Sequence, residues 1–316
     1  MKISILLPYK ENYSKIYAGA VSIFVNSTSK ISKYKKIITV YGSTNFDKIL
    51  SKNYKNIILK KSFLKSQSKD YVEKFLEIQK NDKPDIIEVH NRPIYIESLI
   101  DLKTNIVLYF HNDPITMTGS KTVKERIFLL NNCKKIIFNS EWSKKQFLLK
   151  LDNFYHKSKK LEVIHQSVNK TLINFKEKKK LIVFVGKLNS AKGYDIFAEA
   201  IIKILNKYNE WSAIVIGDEP REKIELDHKN LKNLGFTNHE NVLETFKKCS
   251  IAIACSRWEE PFGRTSLEAA SNGCAVIISN RGGLPETITN GVILKNLTVQ
   301  NLHKEIENLI KKVTLR

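Results

Sequence analysis

Short apolar runs recur along the whole chain, separated by stretches of helical pattern. In the first half they fall at 3–7, 37–41, 56–59, 85–90, 106–111, 136–139 and 161–164. In the second half they fall at 181–186, 213–217, 251–255, 275–279 and 292–294. Most are apolar almost throughout and do not alternate. A strand covered on both faces reads this way, so the pattern predicts central strands of parallel sheets. Between the runs, 195–208 is apolar at Ile196, Phe197, Ala200, Ile201, Ile204 and Leu205, the spacing of a one-sided helix, and 142–151 reads as another. Repeated β–α units predict an α/β chain of two Rossmann-like, doubly wound domains. The run at 181–186 opens like that at 3–7 and follows the Lys-rich stretch 174–180, which sets the expected domains at 1–175 and 176–316. Open sheets of this kind bind ligands beyond the carboxyl ends of their strands, here in a cleft expected between the two domains.

At 316 residues, 42% apolar and 27% charged, the chain has the composition of a two-domain globular protein. No run approaches the ~18 apolar residues of a membrane span. The opening MKISILLPYKE reads as a buried strand, not a leader. Cys133, Cys249, Cys255 and Cys274 have neither CxxC nor metal spacing and read as small buried residues of a reducing compartment. The net charge of +21 is unevenly spread: residues 1–178 carry 33 basic and 16 acidic side chains, residues 179–316 carry 20 and 16. Only seven of the basic residues are Arg, whereas readers of nucleic-acid sequence lean on the Arg fork. No nucleic-acid partner is expected. A Lys-rich first half suits either a solvated face or an anionic leaflet.

Two turns carry candidate chemistry. In VFVGKLNSAKGYD a strand ends at Gly186, Lys187 and Lys192 follow, and Gly193 precedes a helix. A diphosphate would meet two cations and a helix N-terminus there. Neither GxxxxGK[ST] nor GxGxxG is present. In EEPFGRTSLEAASNGC, Glu260 sits before a helix expected from Arg264 to Asn272, and Glu268 lies eight residues on. Glu268 suits a ribose diol, and the amides of Thr265 and Ser266 suit phosphate oxygens. Gly282-Gly283 supplies a further tight turn. His90 ends a strand and borders the expected cleft. His156, His228, His239 and His303 lie in polar stretches and read as surface residues. No DxD, no metal spacing and no G-x-S-x-G elbow occurs, so neither a metal nor hydrolase chemistry is expected.

VGKL…KG at 185–193, IGDEP at 216–220, EPFGRTSLE at 260–268 and NRGGLPE at 280–286 resemble the retaining glycosyltransferases of GT-B fold, family 4 (glycosyl transferases group 1). FNSEWSKKQF at 138–147, VIHQSVN at 163–169, PDIIEVHNRP at 84–93 and IVLYFHNDP at 106–114 add weaker matches. The resemblance implies catalytic roles for His111, Glu260, Lys187 and Lys192. It implies a donor site of Gly186, Lys187, Lys192, Gly235, Phe236, Thr237, Glu260, Phe262, Gly263, Arg264, Thr265, Ser266 and Glu268. Gly19 and His90 fall on the acceptor side. Lys187 stands where the family has Arg, Asn112 where it has Asp, and Gln166-Ser167 where it has Asn-Gly. The implied activity is transfer of a sugar, with retention, from a nucleotide diphosphate (UDP favoured, no cofactor or metal) to a lipopolysaccharide or other cell-envelope glycan.

The alternative is a non-catalytic basic Rossmann-like module on an anionic membrane or nucleic acid. The acidic pair Glu260 and Glu268 argues against it, since a phosphate binder gains nothing from carboxylates there. A dehydrogenase lacks its fingerprint, and a nucleotide-sugar epimerase of the same architecture stays open. Lys33, Lys35, Lys36, Lys52, Lys55, Lys60, Lys61, Lys65, Lys157, Lys159 and Lys160, with Tyr34, Tyr54 and Phe63 interleaved, suggest a cytoplasmic enzyme docked peripherally on the membrane.

Overall fold

The computed structural model describes residues 1–59, 66–169 and 171–314. Lys60, Lys61, Phe63 and Lys65 lie outside the described residues. The chain divides into two compact units, Met1–Gln166 and Ser167–Arg316. The division falls a little before the Lys-rich stretch.

The first unit holds β1 (Ile3–Leu6), β2 (Ile38–Gly42), β3 (Tyr54–Asn56), β4 (Ile86–His90), β5 (Asn105–Phe110), β6 (Lys135–Phe138) and β7 (Leu161–Val163), in the order β3-β2-β1-β4-β5-β6-β7. The second holds β8 (Lys179–Val185), β9 (Ser212–Ile216), β10 (Leu231–Asn233), β11 (Cys249–Ala254), β12 (Ala275–Ser279) and β13 (Val292–Leu294), in the order β10-β9-β8-β11-β12-β13. Among the described residues these strands pair in parallel throughout. In each unit the chain starts mid-sheet, runs to one edge, then returns to build the other. That reversal places a switch point between β1 and β4, and another between β8 and β11. Two doubly wound parallel sheets in tandem are what the GT-B resemblance implies.

Successive strand residues feed opposite faces of each sheet. Leu108 and Phe110 pack with Leu6 and Phe138, while Tyr109 points to the other layer with Ile5 and Val40. In the second unit Ile182, Phe184, Ile251 and Ile253 share one layer with the helix Tyr194–Lys207. Val183, Ala252, Val276 and Ile278 share the other with Ala269 of the helix Arg264–Ser271. Both faces are buried, which is why these strands read as unbroken apolar runs.

The differences from the sequence pattern have local causes. The run at 56–59 is displaced: β3 is Tyr54–Asn56, Ile57 is buried just past it, and Ile58 is exposed. Tyr54 is therefore a core residue stacked on Tyr13 with ring centroids 4.8 Å apart, not an interfacial aromatic. β10 escapes the pattern because an edge strand reading LKN offers one apolar residue. The helix expected over 142–151 is Glu141–Leu148, and Lys150 beyond it takes a left-handed φ of 62°.

Candidate functional site

Two clusters form at carboxyl ends of strands, one in each unit. In the second unit, Gly186 follows β8 and its amide bonds to the Ile216 carbonyl at 3.0 Å. Lys187 is exposed, while Leu188 behind it is buried. The chain turns through 190–192 and enters the helix Tyr194–Lys207 at Gly193, whose φ is 71°. A Cβ on Gly193 would sit 1.9 Å from the Cys255 carbonyl oxygen, so only glycine lets the two turns approach this closely. Arg257 braces the same turn. It donates to both Asp195 oxygens at 2.5 and 2.6 Å and to the Ser190 carbonyl at 2.7 Å. The Arg257 guanidinium holds the Asp195 carboxyl below its ordinary value.

Glu260 is gripped from below. The Gly283 amide donates to the Glu260 carbonyl at 2.6 Å, and a Cβ on Gly282 would lie 2.1 Å from that oxygen. Glu259 accepts from the Gly282 amide at 2.6 Å and from Arg281 at 3.0 Å. The Glu260 carboxylate pairs with the Lys192 ammonium. Residues predicted from two separate turns thus meet. Phe262 is buried, and Gly263, with φ of 109°, opens the helix Arg264–Ser271.

On that helix, Glu268 is buried and its Oε1 receives two partners: Arg264 Nε at 2.7 Å and His239 Nε2 at 2.8 Å. Arg264 Nη1 is buried with no hydrogen-bond partner among the described residues. Two expectations need correction. His239 is not a plain surface residue, because it starts the helix His239–Lys248 and reaches back to Glu268. Ser266 is already committed: its amide bonds the Gly263 carbonyl at 3.2 Å, and its hydroxyl bonds that carbonyl at 2.7 Å and Thr287 at 2.8 Å. Thr265 beside it is half-buried. The loop of Gly235, Phe236 and Thr237 runs from β10 to His239. Phe236 is exposed, and the Gly235 carbonyl accepts from Gly217 at 2.9 Å.

The first-unit cluster is buried except for Glu88, which is half-buried. His111 follows β5; its amide and that of Asn112 donate to Asn91 Oδ1 at 3.1 and 3.0 Å, and its carbonyl accepts from Asn139 at 3.0 Å. Its ring lies 2.8 Å from His90 Nδ1 through Nε2, and 2.9 Å from Gln166 Nε2 through Nδ1. His90 in turn meets Glu88 at 2.6 Å. Tyr109 stacks on His111 with centroids 4.5 Å apart, and Phe24 meets it edge-on at 5.2 Å. His90, expected to border a cleft, has no exposed surface. Gly19 precedes the helix Ala20–Ile31, and the position of a Cβ there is taken by the Glu11 carboxylate, which accepts from the Ser22 amide at 3.0 Å. Glu88 and Gln166 went unpredicted. The pattern IIEVH did hold a signal, since Glu88 and His90 must share a face of the strand.

Residues 166–316 match the family of glycosyl transferases group 1. That match spans the second unit. Over 92% of this chain and 84% of its own length, the spore coat protein SA of Bacillus subtilis is 22% identical. A lipopolysaccharide core biosynthesis mannosyltransferase, LpsB of Rhizobium meliloti, is 28% identical over 36% of this chain and 35% of its length. The crystal structure of HepE from Anabaena, in complex with UDP and glucose, superposes with a TM-score of 0.74 at 17% identity, covering 99% of this chain and 91% of that one. The last likeness confirms the GT-B fold.

Among the described residues no helix is long and apolar enough to cross a membrane, and no group of His, Cys, Asp and Glu could hold a metal. All four cysteines are free and buried. Burial pushes the Cys133 and Cys255 thiols up to about 12 and Cys274 to about 11.

Proposed function

We propose that this protein is a glycosyltransferase, which transfers a sugar, with retention and without a metal, from a nucleotide diphosphate to a hydroxyl of a lipopolysaccharide or other cell-envelope glycan. The observation that carries the reading is the second-unit cluster. Lys187, Lys192 and the Gly193 turn gather positive potential at a strand end, with Glu260 and Glu268 fixed nearby. Cations and helix N-termini stabilise the charge that grows on a leaving diphosphate. Glu268, already aligned by Arg264 and His239, suits a ribose diol. A UDP-sugar is the favoured donor, a preference supported by the UDP in the Anabaena complex. The cell-envelope acceptor is supported by the mannosyltransferase relative.

In the first unit, a groove of about 580 Å³ lies beyond β1, β2 and β3. Tyr9, Asn12, Asn45, Phe46 and Gln67 line it. Aromatic faces with amide side chains suit a glycan, and we assign the acceptor there. The deciding experiment is a thermal-shift panel of UDP-, GDP- and ADP-sugars, followed by the anomeric configuration of the product. Stabilisation by UDP-sugars without added metal is expected. No shift with any of them, or an inverted product, rejects the reading.

The same proposal includes peripheral docking on an anionic leaflet. Lys33, Lys35, Lys36, Lys157 and Lys159 are exposed, and Phe154 beside the last two is 81% exposed. Co-sedimentation with anionic liposomes should fall steeply with salt. Equal binding to neutral liposomes, or none at low salt, rejects docking.

A further inference from the structure

The row Glu88, His90, His111 and Gln166, buried except for the half-buried Glu88 at its end, admits one consistent set of protons. The Gln166 amide nitrogen 2.9 Å from His111 Nδ1 can only donate, so Nδ1 accepts. His111 then carries its proton on Nε2 and gives it to His90 Nδ1 at 2.8 Å. His90 accordingly carries its own proton on Nε2 and gives it to Glu88 at 2.6 Å. Reversing the row would point a bare His90 nitrogen at an ionised carboxylate and an Nδ1–H at an amide N–H. Both ends oppose that arrangement. The charge of Glu88 therefore selects the tautomer of a ring two bonds away.

We propose that Glu88 and His90 are positioning residues which hold His111 as its Nε2–H tautomer, keeping Nδ1 a hydrogen-bond acceptor for a substrate hydroxyl. The role of His111 in transfer rests on the function proposed above; the tautomer does not. In the ligand-free protein the Gln166 N–H occupies Nδ1, and a hydroxyl would replace it in the same sense, donor to the same lone pair. Tyr109, stacked on both imidazoles, and Phe24 keep the rings from rotating to share their protons otherwise. A hydrogen bond to the second nitrogen is the general means by which a histidine tautomer is set.

The test is long-range proton–nitrogen correlation on the full-length chain with ring-labelled histidine, at neutral pH. Wild type should show both His90 and His111 protonated on Nε2 alone. Glu88→Gln keeps the shape but presents an amide that can donate or accept, so both tautomers should appear with the melting temperature little changed. Glu88→Asp, which keeps the charge, should hold the wild-type tautomer. If Glu88→Gln fails to fold, His90→Gln serves, with His111 again expected to populate both forms. A wild-type His111 protonated on Nδ1, or a mixture insensitive to Glu88→Gln, overturns the proposal. In turnover of UDP-glucose, Glu88→Gln should lower kcat about tenfold or more with KM little changed. Inertness of wild type toward UDP-glucose would count against the donor reading above, and the tautomer measurement would still decide this one.

Discussion

The two units repeat one fold but treat the same turn in opposite ways. Each has a central strand, β1 or β8, followed by a loop, a glycine and a long helix. In the first unit the N-terminus of that helix is closed from within, because the Glu11 carboxylate accepts from the Ser22 amide. In the second unit the glycine is wedged against backbone, and the loop carries Lys187 and Lys192. An anion at a helix N-terminus is favourable, so a self-supplied carboxylate removes the attraction for a foreign one. The comparison separates a helix start whose place for an anion is filled by Glu11 from one whose loop carries two lysines. It shows how the first unit can carry most of the net charge while the diphosphate site proposed above lies in the second.

The largest expected effect breaks that comparison at its glycines. In Gly193→Ala the new Cβ meets a backbone carbonyl at 1.9 Å, with φ already left-handed at 71°. Neither can yield without moving β11 or the helix. A loss of about 3 kcal/mol or more in urea unfolding is expected. Gly19→Ala meets only the end of the Glu11 side chain, at 2.3 Å, and its φ of −76° suits alanine. About 1 kcal/mol is expected, because a flexible side chain can swing aside. Equal losses at the two sites would show that the turns are equivalent after all.

Next in size is Glu268. It is buried and serves two partners, so Glu268→Ala would strand Arg264, whose side chain is 13% exposed. The loss would then mix folding with binding, and Glu268→Gln is the cleaner change. It should weaken UDP binding by ~10-fold or more, since a hydrogen bond to a charged group contributes ~1.5–3 kcal/mol. Isothermal titration checks it. Unchanged affinity would remove Glu268 from the ribose role.

Much of this was visible in the residues alone. Every strand but β10 and the displaced β3 announced itself, since burial on both faces writes an apolar run into the sequence. The block from Glu260 to Glu268 was legible for a different reason: tight glycines and fixed carboxylates are required together by one local turn. What stayed hidden depends on contacts between turns far apart in sequence. His239 sits 29 residues before Glu268 and in a polar stretch, yet the parallel sheet brings the β10 turn against that helix. Gln166 meets His111 across 55 residues for the same reason. Tyr54 looked like a surface aromatic because its neighbours are Asn53 and Lys55, but strand alternation turns it inward against Tyr13.

The lysines sharpen the comparison at a smaller scale. Lys187 is exposed and forms no ion pair among the described residues, whereas Lys192 is held by Glu260. Lys187→Ala should therefore lower turnover with little change in stability, by about tenfold if its charge is felt mainly in the transition state. Lys192→Ala should also release Glu260 and raise KM for the donor. Identical kinetic profiles for the two variants would contradict the different settings seen here.

The smallest effect concerns acid. Arg257 braces the 190–192 turn through Asp195, whose folded-state carboxyl lies below its ordinary value, first because of the hydrogen bond from Arg257. A carboxyl lowered on folding stabilises the protein above its unfolded value, about 4, and that contribution fades as pH falls toward the folded value. Both side chains are partly exposed, so water screens the pair and its share is under about 1 kcal/mol. The melting temperature of wild type should thus fall slightly more between pH 5 and pH 3 than that of Arg257→Gln, in which Asp195 has lost the cation that lowers its carboxyl. Parallel curves would mean that the turn is held by Gly193, the backbone bonds to Ala191 and the Asn189 cap, and that the Arg257–Asp195 pair contributes nothing to its stability.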